Sequence, residues 1–315
     1  MTTLITGGAG FIGSRLALRL ARMGQPVVIL DNFNDYYDPA LKRANVAPLR
    51  DHATIIEGDV RDTALIARLF ADHSIRRVAH LAAMAGVRYS AERGPLYAEV
   101  NTQGSVNLMD AARQHGVEVF ILASTSSVYG DAQRIPFVED DAPDFPLAPY
   151  PASKRAAELF AHSFHHLFGL NVTVLRFFNV YGPNGRPDMM PLQVIDAILK
   201  EREITLYDGG RLERDWTYID DTIDGVVAAL ERPLGYQIIN LGHGAAIPLT
   251  QFIAIYEALI GRKAITRDVP APRTEPRVLF CDNSRARRLL GFDPQTAVAD
   301  GLARTWDWYR QRYGL

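Results

Sequence analysis

Through the first half of the chain, short apolar runs alternate with longer stretches of helical periodicity, the pattern of βαβ units feeding a parallel sheet. The runs predict strands at Thr3–Thr6, Val27–Asp31, Thr54–Glu57, Arg77–Leu81, Val119–Ala123 and Asn171–Phe177. The stretches between them predict helices at Phe11–Met23, Ala64–Asp72, Leu96–His115 and Ser153–Phe168. Gly24, Gly116 and Gly169 fall where three of these helices should end. Beyond about residue 180 the texture changes. A loop rich in Gly, Pro and Asn (Tyr181–Pro191) precedes a helix (Pro191–Glu201), a short strand (Ile204–Tyr207), a helix (Ile219–Leu230), a strand (Gln237–Leu241), a helix (Leu249–Gly261) and a terminal segment ending in Trp306-Asp307-Trp308-Tyr309. The fold class expected is α/β, a doubly wound parallel sheet with a second, smaller α/β domain that binds substrate. The first domain should comprise residues 1–178 and about 216–241, and the second about 179–215 and 242–315.

Composition narrows the function. The 315 residues are 48% hydrophobic and 22% charged, an ordinary globular mix with room for a full core. A formal net charge of −2 gives no electrostatic footprint for nucleic acid. The single cysteine, Cys281 in the run Val278-Leu279-Phe280, reads as a small buried apolar residue, and no Cys/His spacing suggests a metal. The N-terminus passes directly into a strand with no leader pattern, and no apolar run approaches a membrane span, so a cytoplasmic protein with no membrane partner is expected.

Two stretches carry chemistry. Gly7-Gly8-Ala9-Gly10-Phe11-Ile12-Gly13 lies between the first strand and the first helix, where bare backbone and a helix N-terminus receive a pyrophosphate. Asp31 ends the second strand 18 positions after Gly13, the place of an acid that binds adenosine ribose hydroxyls and repels a 2′-phosphate, which favours NAD over NADP. Asn32, Asp59-Val60 and Leu81-Ala82-Ala83, at or just beyond strand ends, are further candidate cofactor contacts. The second stretch, Pro149-Tyr150-Pro151-Ala152-Ser153-Lys154, puts a phenol and an ammonium on one helix face. A positive charge beside the phenol lowers its pKa from about 10 and would let Tyr150 act as a general base. Pairs at this spacing also arise by chance on exposed helices, so its meaning depends on the surrounding chain.

That surrounding chain resembles the extended short-chain dehydrogenase/reductases that act on nucleotide sugars, which have a Rossmann domain. The resemblance is carried by Gly7-x-x-Gly10-x-x-Gly13, Asp59-Val60, His80-Leu81-Ala82-Ala83, Ser124 to Gly130, Tyr150-x-x-x-Lys154 and Arg214-Asp215-Trp216-Thr217-Tyr218-Ile219-Asp220-Asp221. The segments Asp31 to Asp38, Ala85 to Ser90 and Gly182 to Met189 are similar to those of UDP-glucuronate 4-epimerases. Asn179 departs from that subgroup, which carries Thr, and matches the UDP-glucose 4-epimerases.

The resemblance implies a catalytic triad of Thr125, Tyr150 and Lys154 working with NAD on a UDP-sugar. Tyr150 would take the C4 hydroxyl proton as hydride leaves C4, and the 4-keto sugar would turn over before hydride returns to its other face. Dehydratases of this family follow the hydroxyl residue with Asp-Glu, and the decarboxylases place a Glu just before the Val-Tyr-Gly; Thr125 is followed by Ser126-Ser127. Reversal is therefore expected over elimination or loss of CO₂. Ser126, Ser127 and Arg186 would hold a hexuronate carboxylate, and Arg214 and Arg273 would clamp the diphosphate. Asn179 and, more weakly, Arg88 are further substrate candidates. The expected pair is UDP-glucuronate and UDP-galacturonate, with UDP-glucose and UDP-galactose as the alternative and a non-catalytic NAD-binding regulator behind both. A homodimer through the helices at Leu96–His115 and Ser153–Phe168 is implied. His162, His165 and His166 read as packing or surface residues, and Glu139-Asp140-Asp141 as a solvated turn.

Overall fold

The strands of the first half pair side by side as their apolar runs predict. A computed structural model describes residues 1–132, 134–141, 144–271 and 277–315. In chain order the elements are β1 (Thr2–Thr6), α1 (Phe11–Arg22), β2 (Val27–Asp31), α2 (Pro39–Val46), β3 (Thr54–Glu57), α3 (Thr63–His73) and β4 (Ile75–His80). There follow α4 (Val87–Ser90), α5 (Gly94–Tyr97), α6 (Gly104–Gln114), β5 (Val119–Thr125), α7 (Pro149–Phe168), β6 (Val172–Phe177) and β7 (Asn179–Tyr181). The remainder comprises α8 (Met190–Leu199), β8 (Glu203–Tyr207), β9 (Glu213–Tyr218), α9 (Ile219–Leu230), β10 (Tyr236–Leu241) and β11 (Ala246–Pro248). Last come α10 (Leu249–Ile260), β12 (Ile265–Val269), β13 (Val278–Leu279), α11 (Ser284–Leu290) and α12 (Val298–Tyr313).

Seven strands form one sheet in the order β10-β6-β5-β4-β1-β2-β3, every pair parallel. The order reverses between β1 and β4, which opens a crevice at their C-terminal ends, the usual ligand site of such sheets. Alternate residues of the central strands face opposite layers. Ile5, Ile29, Ile121 and Leu175 pack on the side of α1 and α9. Leu4, Val28, Val78, Phe120 and Val174 pack on the side of α3, α6 and α7. Burial on both faces is why these strands read as unbroken apolar runs. The first core continues into the second half through Leu192, Ile195, Trp216, Phe252 and Leu302. There β9 pairs with β11, β13 and β7, and β8 pairs with β12.

Several expectations are revised. The helix expected over Leu96–His115 is broken into α5, a π-helical turn (Ala98–Gln103) and α6. The extra residue of that turn brings Asn101 into the interior, where it is fully buried and bonds Met84 and Ser153. Glu139 is no solvated residue. It is buried, its carboxylate accepts Asn240 N–H at 2.9 Å and its carbonyl accepts from Arg176. Asp140 and Asp141 of the same run do face outward, paired with Arg285 and Arg134. Cys281 is buried, yet its Sγ faces the Asp215 carboxylate at 3.4 Å, so its surroundings are not purely apolar. The pattern also misses α2, although Asp38 caps it and Pro39 opens it, and it misses the short strands β7, β9, β11, β12 and β13.

Candidate active site

At the crevice between β1 and β4 lies a cavity of about 350 Å³. Gly7, Gly10, Phe11, Ile12 and Gly13 line one end. Gly7 has φ +68°, and a Cβ there would lie 2.7 Å from Ala82 N; a Cβ on Gly13 would run into Gly7 O. Only glycine allows the loop, the helix and the strand after it to approach this closely. Helix α1 starts at Gly10 with no side-chain cap, which leaves its first-turn N–H groups directed out of the helix end. Asp31 is fixed at the same end, Oδ2 accepting Ala9 N–H at 3.0 Å and Oδ1 accepting Phe33 N–H at 2.9 Å. Each oxygen keeps a lone pair for a further donor. Asn32, Val60, Leu81, Ala82 and Ala83 complete this end. The bare loop, uncapped helix and anchored acid fit the pyrophosphate and ribose of a dinucleotide.

Thr125, Ser126, Ser127, Tyr150 and Lys154 line the other end. The first turn of α7, opened by Pro149 and Pro151, is held by Ser153, whose Oγ donates to Tyr150 O at 2.8 Å and accepts from Asn101 at 2.9 Å. Lys154 is buried and donates to Ala123 O at 2.9 Å. Burial pushes its ammonium down to about 8, against the pull of the Glu158 charge. Burial also pushes the Tyr150 phenol above its ordinary value, and what opposes this is a hydrogen bond with Thr125 and the charge of Arg186. The net direction is thus opposite to the one expected of the pair, because burial outweighs the neighbouring groups that favour the phenolate.

Arg186 reaches this cavity from the loop between β7 and α8 and forms a two-point pair with Asp188, at 2.9 and 2.7 Å. The Tyr36 hydroxyl donates to the same carboxylate at 3.1 Å. A second cavity, of about 1200 Å³, meets the first at Asn179 and Met189. Arg88, Tyr207, Arg214 and Trp216 line it, with the Arg88 guanidinium 5.2 Å from the Tyr207 ring centre. Asn179 and Trp216 are register partners on β7 and β9, and Asn179 Nδ2 and Trp216 Nε1 are buried donors with no hydrogen-bond partner among the described residues. Asp215 does not pair with Arg214; it turns away and accepts the N–H groups of His243 and Gly244.

The structure gathers most sequence candidates into these two joined cavities. Asp59 lines neither: Arg61 and Asn32 occupy its carboxylate. Arg273 lies outside the described residues. Tyr36, Asp188 and Asn101 belong to the site's framework but escaped sequence reasoning. For Asp188 a signal was present, an acid two positions after Arg186; for Asn101 there was none, since its inward turn depends on the π-helical distortion.

A model of the NAD dependent epimerase/dehydratase family matches residues 3–242. The chain is 42% identical to a UDP-glucuronate 4-epimerase of Thermodesulfobacterium geofontis, over 99% of this chain and 97% of that one. Among solved structures it is similar to a UDP-glucuronic acid 4-epimerase from Bacillus cereus in complex with UDP-glucuronic acid and NAD, at 34% identity and a TM-score of 0.93, covering 99% and 100% of the two chains. A UDP-glucose 4-epimerase with UDP-glucose from Thermotoga maritima aligns with a TM-score of 0.92 at 29% identity, covering 99% and 100%.

Proposed function

The chain belongs to the NAD dependent epimerase/dehydratase family, and from that premise we propose that it interconverts UDP-glucuronate and UDP-galacturonate by inversion at C4. One observation carries the choice of reaction. Among the described residues lining the smaller cavity, the only carboxylate is Asp31, on β2 beside the glycine loop, and none stands next to Thr125 and Tyr150. A 4-keto sugar held there meets no acid to expel water, so its simplest fate is reduction.

The glycine loop, the N-terminus of α1 and Asp31 hold NAD. The chemistry NAD supplies when bound is reversible hydride transfer at C4. Tyr150, as its phenolate, takes the C4 hydroxyl proton at Oη and later gives it back, with Thr125 beside it in the cavity lining and the Arg186 charge favouring the phenolate. Lys154, fixed on Ala123 O, supplies positive charge beneath the site. Ser126, Ser127 and Arg186 hold the C6 carboxylate and keep it from the geometry that releases CO₂. In the larger cavity Arg88, Arg214 and the unpartnered Asn179 Nδ2 take the diphosphate, and Arg273 is proposed as a second clamp.

The substrate part comprises residues of about 179–215 and 242–315, and the cofactor part residues 1–178 and about 216–241, so that one crossing falls within β9. The functional unit is a homodimer built on α6 and α7. Leu159 and Leu167, 54% and 67% exposed, lie on one stripe of α7 with the exposed Phe160 and Phe168 beside them. A cytoplasmic location fits a sequence whose single cysteine has no partner for an internal disulfide.

The test is incubation of the NAD-loaded protein with UDP-glucuronate and separation of the products. UDP-galacturonate is expected, and Arg186→Ala should lower the rate by about tenfold or more, the scale of a lost charge-assisted contact. Absence of conversion, or a pentose as the main product, refutes the assignment.

A further inference from the structure

Arg186 has five N–H donors, and the structure commits two of them away from the sugar. Nε and Nη2 donate to Asp188 Oδ1 and Oδ2. Pairing with an acid weakens the attraction of Arg186 for a second carboxylate, so Asp188 does not serve to strengthen it. A two-point pair instead fixes the plane and the direction of a guanidinium, and leaves the Nη1 edge to present. Asp188 is itself fixed. Tyr36 donates to its Oδ2, and the Tyr36 ring lies 5.6 Å from the guanidinium carbon. Tyr36 in turn packs edge-on to Tyr89 at 5.0 Å, and its hydroxyl occupies space that a side chain on Gly86 would fill. Tyr36 belongs to the loop that follows Asp31 and lines the smaller cavity.

We propose that Tyr36 and Asp188 are positioning residues that aim Arg186 at the sugar, and that they tie the loop carrying Asp31 to the arginine that reads the hexose. The proposal rests on the reading of Arg186 given above. Selection of an acidic over a neutral hexose then depends on two residues that need not touch either.

The test compares the Kd of UDP-glucuronate with that of UDP-glucose by calorimetry, on NAD-loaded protein in a Tyr150→Phe background that prevents turnover. Asp188→Asn should shrink the preference for the acid by about tenfold, and Tyr36→Phe by about threefold, the range for one contact to a charged group. Asp188→Glu should restore part of it. Combining Tyr36→Phe with Asp188→Asn should add nothing, because Tyr36 acts through Asp188. A preference unchanged in Asp188→Asn and Tyr36→Phe but lost in Arg186→Ala overturns the proposal and leaves the role of Arg186 intact. A preference unchanged in Arg186→Ala overturns both. Tighter binding of the acid by Asp188→Asn would make Asp188 a competitor of the substrate and also overturns the proposal. If Asp188→Asn fails to fold, Tyr36→Phe decides alone.

Discussion

His80, at the end of β4, is engaged through both ring nitrogens, Nδ1 with Thr6 Oγ1 at 2.7 Å and Nε2 with Ser105 Oγ at 2.9 Å. The Ser105 hydroxyl proton goes to Asn101 O, so Nε2 carries the ring proton and donates, and bare Nδ1 accepts from Thr6. The imidazole is therefore neutral, and burial pushes its pKa down to about 3, with the Lys154 charge adding to the effect. Between that value and the ordinary 6.5 the unfolded chain binds a proton that the folded one refuses. Stability is complete above pH 6.5 and falls as the pH drops through this window, by up to ~1.4 kcal/mol per pH unit. Melting curves from pH 7 to 4 should show a shallower acid limb in His80→Asn than in the parent; equal limbs would exclude this role. His80 also shows what was legible at this scale. Gly7 to Gly13, Asp31, Tyr150 and Lys154 could be singled out because their candidate roles depend on local spacing at a strand or helix end, whereas Thr125 was singled out through the resemblance alone. The bonds of His80 to Thr6, Asp188 to Tyr36 and Asn101 to Ser153 cross the fold, and neither partner carries a mark of the other.

Helix α7 does more than display Tyr150 and Lys154. One turn beyond Lys154 on the same face is Glu158, fully buried and bonded at 2.9 and 2.7 Å to Arg176 of β6, which is fully buried as well. Ser124, beside Thr125, donates to Glu158 at 2.5 Å, and Arg176 also donates to the Tyr129 hydroxyl and Glu139 O. The helix, the end of β5 and its following loop are thus fastened at one point beneath the candidate site. Glu158→Ala leaves an uncompensated guanidinium in the core and should cost ~3–5 kcal/mol in denaturant unfolding. Replacing both partners, as in Glu158→Met with Arg176→Met, should cost less than either single change; a larger loss would show that the charges themselves are needed. Periodicity located this helix but not its depth in the core, because a glutamate on a helix face reads as solvated until its partner is placed.

Seen whole, the first half was more legible than the second. Its strands are buried on both faces and announce themselves as apolar runs, whereas β8 and β12 form a two-stranded pair, and β12 is exposed along most of its length. The assembly can be tested directly. If α6 and α7 form the contact between two copies, Leu159→Glu with Leu167→Glu should halve the mass seen in sedimentation while leaving the monomer folded. An unchanged mass would move the contact elsewhere or leave the protein monomeric.

The position of β10 has a consequence for how the chain is made. It covers the β6 edge of the large sheet, yet it is synthesised only after β7, β8 and β9 of the smaller part. A nascent chain that has completed β6 presents an apolar strand with unpaired backbone groups until some sixty more residues have left the ribosome. The cofactor-binding half is therefore no detachable cassette. Gene fusions or permutations that separate residue 178 from residue 236 would leave a sticky edge, and recombination has a strong physical reason to carry the two halves together.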